Sequence, residues 1–96
     1  MDTSPMLSVV IATFNQQEYI LQCLESLKCD NTSVMELIVV DDCSTDKTFD
    51  LATQWISKNG FSFYAIIAIR NNKNMGVSYT YTTGARQAHG TYVHWM

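Results

Sequence analysis

Short apolar runs alternate along the chain with segments whose apolar residues recur every three or four positions. Leu7-Ser8-Val9-Val10-Ile11-Ala12 is a largely β-branched run bounded by Thr13-Phe14-Asn15 and predicts a buried strand. Asn15, followed three residues on by Glu18, has the pattern of a helix start in which each side chain serves an orphan N–H. Ile20, Cys23, Leu24 and Leu27 fall at i, i+3, i+4 and i+7, a helical stripe that Cys29-Asp30-Asn31-Thr32-Ser33 breaks. Leu37-Ile38-Val39-Val40 predicts a second buried strand ending in Asp41-Asp42. Ser44, Thr45 and Asp46 are N-cap types for a second helix with Phe49, Ala52 and Ile56 inward, and Asn59-Gly60 reads as its C-cap. Phe61 to Ile69 predicts strand three, followed by an asparagine-rich loop from Arg70 to Gly76. Val77, Tyr81, Gly84, Ala85 and Ala88 space as a third helix, closed by Gly90, and Thr91 to Met96 begins a fourth strand. Near-continuous apolar strands alternating with helices predict an α/β fold: a mostly parallel sheet with helices on both faces, one domain over residues 1–96.

Composition narrows the function more than the fold. With 9 acidic and 6 basic side chains the net charge is −3, spread along the chain, which argues against a nucleic-acid binder or a polybasic membrane surface. The longest apolar run, Phe63 to Ile69, is far short of the roughly 20 residues that span a bilayer. Cys23, Cys29 and Cys43 are odd in number and form no C-x-x-C pair, so a disulfide scaffold or zinc ribbon is not supported. Met1 to Pro5 lacks the positive n-region of a signal peptide, and the reading is a reducing, cytoplasmic compartment. His89 and His94 are five apart, a spacing that suits neither helical metal pair, and read as exposed or half-buried side chains.

Parallel sheets bind ligands outside the carboxyl ends of their strands. Those loops hold Thr13-Phe14-Asn15, Asp41-Asp42-Cys43-Ser44 and Arg70-Asn71-Asn72. In extended chain Asp41 and Asp42 point to opposite sides. Either one accepts hydrogen bonds from a ligand while the other braces the loop, or both cap the second helix and satisfy loop amides. G-x-G-x-x-G, the P-loop and G-x-S-x-G are absent, which disfavours dinucleotides, P-loop nucleotides and a serine nucleophile elbow. Cys43 beside the acidic pair reads as a small loop residue rather than a reactive thiol.

Four motifs together resemble family 2 glycosyltransferases of the GT-A fold. Ser8-Val9-Val10-Ile11-Ala12-Thr13-Phe14-Asn15 is similar to S-V-V-I-P-T-Y-N, and Leu37 to Asp46 to I-I-V-V-D-D-G-S-T-D. Asn74-Met75-Gly76-Val77-Ser78 matches N-x-G-x-S, and Ala88 to Val93 matches A-x-G-x-Y-I, in the family's order across residues 7 to 96. The resemblance implies the Rossmann-like N-terminal half of a GT-A domain that binds a nucleotide-diphosphate sugar, with a UDP-sugar expected. It implies nucleotide contacts at Thr13, Phe14, Asn15 and Asp42, with Asp41 and Ser44 supporting the loop. A carboxylate only accepts hydrogen bonds, which suits the ring N–H of uracil. Phe14 stands where the family usually has tyrosine, Ala12 where it has proline, Cys43 where it has glycine, and Tyr81-Thr82 where it has an Arg-Asn pair.

The resemblance further implies Mg²⁺ or Mn²⁺ on the donor diphosphate, held by a D-x-D motif that follows the fourth strand. The sequence stops at Met96, about where that motif begins, so the chain is expected to be a truncated domain, inactive alone. Metal ligands and catalytic base are expected outside it. The full-length protein would be a hexosyltransferase acting on a glycan or lipid-linked acceptor in cell-envelope polysaccharide synthesis, at the inner face of the membrane. The readings set against it are a non-catalytic nucleotide-binding module and an interaction module. The latter would pair through Trp55, Trp95 and the exposed sheet edge to form an oligomer.

Overall fold

The computed structural model describes residues 5–28, 32–90 and 92–95. Four strands form one wholly parallel sheet: β1 (Leu7–Thr13), β2 (Met35–Asp41), β3 (Ala65–Arg70) and β4 (Tyr92–Trp95), in the order β3-β2-β1-β4. Three helices connect them: α1 (Ile20–Glu25), α2 (Thr48–Asn59) and α3 (Val77–Gln87). The α/β expectation holds. The segments Cys29 to Asn31, Thr91 and Met96, assigned above to a helix breaker and to strand four, lie outside the described residues.

The two central strands carry the core because both their faces are covered. All seven residues of β2 are buried. Side chains alternate across the sheet, so Val9, Ile11, Leu37 and Val39 pack on one face with Ile20, Leu24, Ala52 and Trp55. Val10, Ile38 and Val40 pack on the other with Tyr81 and Ala88. The helix α3 reaches its face closely because residue 84 is glycine: a Cβ there would sit 2.3 Å from Val10 Cγ1.

Several boundaries differ from the sequence expectation, each for a local reason. Asn15 does not cap α1; it takes a left-handed φ of 49°, and α1 begins only at Ile20 with no side-chain cap. Gly60 ends α2 in right-handed geometry and continues into a 3₁₀ turn, Gly60–Ser62, so strand three starts at Ala65 rather than Phe61. Glycine is needed there for space, since a Cβ would lie 2.8 Å from Ile66 Cγ2. Trp55, not Phe49, is the buried aromatic of α2: it meets Phe63 edge-on and donates its indole N–H to Glu25 Oε1 at 2.7 Å. That burial takes Trp55 away from the interaction surface that the alternative reading gave it.

At the amino end of the sheet, Ser8 and Glu36 face each other in register. The Glu36 carboxylate accepts the Ser8 hydroxyl, the His89 backbone N–H and His89 Nδ1 at 2.8, 2.8 and 3.0 Å, tying the turn after α3 to β1 and β2. Burial pushes the Glu36 carboxyl up, but these hydrogen bonds outweigh it and hold it below its ordinary value.

Candidate functional site

Register brings the carboxyl ends of three strands level: Thr13 pairs with Asp41, and Asp41 with Arg70. The ladder continues one step further, Asp42 N–H to Thr13 O and Asn71 N–H to Asp41 O, both 2.8 Å. Alternation then sends adjacent residues to opposite faces. Asp41, Ser44 and Arg70 gather on the α2 side; Asp42, Asn71 and Thr80 gather on the α3 side.

Asp41 is fully buried and spent within the fold. It accepts the Ser44 N–H at 2.8 Å and the Ser44 hydroxyl at 2.6 Å, with Arg70 Nε 3.7 Å away. Arg70 also donates to Ser44 O at 2.8 Å and lies over the Phe49 ring. Ser44 Oγ accepts from the Asn15 N–H at 2.8 Å, and Asn15 Oδ1 from the Thr45 N–H at 2.9 Å. Asp46 Oδ1 accepts the Thr48 N–H, while Thr48 Oγ1 accepts the Gln16 N–H. These polar residues therefore lace the loop after β1 to the loop after β2.

Asp42 is buried on the other side and carries a different set. Its Oδ1 accepts Asn71 Nδ2 at 2.9 Å and the Met75 N–H at 2.7 Å; its Oδ2 accepts the Gly76 N–H at 2.9 Å. Burial would raise this carboxyl, but the Asn71 amide, the two backbone N–H groups and the Thr80 hydroxyl prevail and hold it below the ordinary range. Gly76 makes the turn possible with a φ of 91°.

Beside Asp42 opens a cleft of about 250 Å³, lined by Ala12, Thr13, Phe14, Asn74, Val77 and Thr80 among others. Thr13 Oγ1 is buried and has no hydrogen-bond partner, alone in this among the described side chains. A buried hydroxyl left unpaired costs about 1–3 kcal/mol, and the Thr13 side chain shares the sheet face of Asp41, its partner in register. Of the residues expected to touch a nucleotide, Thr13, Phe14 and Asp42 line this cleft, whereas the Asn15 oxygen is turned to the neighbouring loop. Sequence reasoning placed Asn71 in a strand-end loop without a site role, and left out Thr80. Thr80 was detectable, three residues after Val77 and four before Gly84 on the same helical stripe.

Cys43 holds a left-handed φ of 62°. Among the described residues no three His, Cys, Asp or Glu side chains converge as a cation site, and no helix is long and apolar enough to cross a membrane.

The sequence profile of glycosyl transferase family 2 matches residues 8–96. The chain belongs to that family. It is 28% identical over 93% of its length to the uncharacterized glycosyltransferase EpsJ of Bacillus subtilis (strain 168), covering 24% of that protein. It is 31% identical, over 90% of its length, to a dolichyl N-acetyl-α-D-glucosaminyl phosphate glucuronosyltransferase of Methanococcus voltae bearing a diacetamido-dideoxy sugar in its name, covering 26% of it. In structure it resembles residues 1–349 of S. aureus TarS in complex with UDP-GlcNAc, with a TM-score of 0.82, 30% identity, and coverage of 95% of this chain and 26% of that one. The chain thus spans about a quarter of the length of these relatives. Its parallel sheet with flanking helices is the GT-A arrangement.

Proposed function

We propose that this chain is the nucleotide-binding portion of a glycosyltransferase that takes a nucleotide-diphosphate sugar, a UDP-sugar by preference, and transfers the sugar to a glycan or lipid-linked acceptor in cell-envelope polysaccharide synthesis. One observation carries the reading. Asp42, a carboxylate held ionised by its neighbours, lines the cleft together with Thr13 and Phe14. Asp42 accepts three N–H groups of the fold and, as an ionised carboxylate, presents a ligand with acceptor oxygens only. Uracil offers a ring N–H flanked by two carbonyl oxygens, a donor suited to that carboxylate. Phe14, at the mouth, supplies an aromatic face for the base. Asn15, Asp41 and Ser44 act indirectly, by fixing the two loops.

The UDP-GlcNAc held by the TarS relative supports the choice of donor class. A divalent cation, Mg²⁺ or Mn²⁺, would neutralise the leaving diphosphate when bound; its ligands are proposed to lie outside the described residues. Calorimetric titration of the intact protein with UDP tests the reading. Binding by the parent and its loss in Asp42→Ala are expected; equal binding by both would overturn the assignment.

A further inference from the structure

A ring of hydrogen bonds holds Asp42, and two of its members, Gly76 and Thr80, line the cleft beside it. Asn71 Nδ2 donates one proton to Asp42 Oδ1 at 2.9 Å and the other to Thr80 Oγ1 at 3.1 Å. Thr80 passes its own proton to Gly76 O at 2.7 Å, and the Gly76 N–H returns to Asp42 Oδ2 at 2.9 Å. Chemistry sets which groups donate in this ring, and the Thr80 hydroxyl has both Gly76 O and the Asp42 carboxylate in reach. Asn71 must present its NH₂, because its oxygen would oppose a carboxylate, and Thr80 must donate to these oxygens, which have no proton to give.

Thr80 is 1% exposed on the sheet-facing side of α3, where a valine of the same shape would bury no hydroxyl. Asn71 is likewise buried. These polar side chains do not line the strand ends merely as filler, because both converge on the atoms that orient one carboxylate.

We infer that Asn71 and Thr80 are positioning residues for base recognition, holding Asp42 so that its carboxylate serves the cleft and admits a ring N–H donor there. This rests on the nucleotide-base reading of that cleft. The ring supplies only donors to Asp42, so the carboxylate remains a pure acceptor. A base with a ring N–H at the contact pairs with it; a base with a lone pair there meets repulsion. The ring also ties the same device to the first turn of α3, so the carboxylate and the cleft wall move together.

The test uses the intact protein, UDP and CDP as probes in calorimetric titrations, and a melting curve for each variant. Uracil presents N3–H where cytosine presents a bare N3. The parent is expected to prefer UDP. Thr80→Val, which keeps shape and removes the hydroxyl, is expected to weaken UDP about tenfold while changing CDP by less than about threefold. Thr80→Ser restores the preference. Asn71→Ala, which leaves the helix sequence untouched, shows the same selective loss. A Thr80→Val protein with the parent's UDP affinity and preference overturns the inference and leaves the base-site reading standing. Equal losses for both probes, unrestored by serine, overturn it as well, since the role is then structural only. A parent that binds neither probe overturns the base-site reading and this inference with it.

Discussion

Replacing Gly84 with alanine adds one methyl group where α3 meets the sheet. Its Cβ would fall 2.3 Å from Val10 Cγ1 and 3.2 Å from Val40 Cγ2. Carbon atoms in contact lie about 3.5–4.0 Å apart, so the overlap with Val10 exceeds about 1 Å. Val10 is fully buried and β-branched, which restricts the rotamers by which it can yield. Alanine itself favours the helix interior by about 0.8–1.0 kcal/mol over glycine. Overpacking costs about 1–3 kcal/mol, and an overlap this deep belongs at the upper end. The net effect is a loss of about 1–2 kcal/mol, seen in urea titration as a lower midpoint with an unchanged slope. Because Gly76 and Thr80 ride on the same helix, pushing α3 outward also weakens UDP binding. A Gly84→Ala protein as stable as the parent, or more so, would refute the direct packing of α3 on Val10.

Other substitutions probe the remaining supports. Cys43→Gly relieves a left-handed conformation that costs an L-residue about 1–2 kcal/mol; after the entropy of a freer unfolded chain, a gain of about 0.5–1 kcal/mol is expected in denaturant titration, and a loss would contradict the strain. Trp55→Ala empties the space beside Phe63 and leaves Glu25 Oε1 unpaired, and should cost about 3–5 kcal/mol, checked by the thermal midpoint. The carboxyls of Glu36 and Asp42 lie below their ordinary values when folded, so the folded chain binds fewer protons. Their stabilisation is complete above the ordinary carboxylate range of about 4 and drains as pH falls through it toward the lowered values. Stability measured across this window should fall with acid, less steeply in Glu36→Gln, and a parallel profile in that variant would exclude the Glu36–His89 contact as a source.

Strands and helix faces were legible because burial imposes a period. Val9 and Ile11 must oppose Val10 across the sheet, and a stripe such as Ile20, Leu24 and Leu27 has one way to face inward. The opposite orientation of Asp41 and Asp42 was legible for the same reason. The loops were less so. Asn15 and Asp46 carry capping residue types, yet Asn15 serves a strand-end loop thirty positions away, a pairing that local sequence cannot announce. Gly60 suggested a left-handed cap, but it is required by the approach of Ile66, which only the tertiary fold supplies. At the site, Thr13 and Asp42 stood out by position, whereas Asn71 and Thr80 acquire meaning only once β3 and α3 carry them to the same carboxylate.

The central claim is that the cleft beside Asp42 receives a nucleotide base, and Asp42→Asn tests it most directly. This change keeps the side chain's shape but removes its charge and puts an NH₂ donor in place of one acceptor oxygen. In calorimetric titration of the intact protein with UDP, affinity is expected to fall at least about tenfold, with a melting curve showing that the variant is folded. Unchanged UDP affinity in a folded Asp42→Asn protein would contradict the claim.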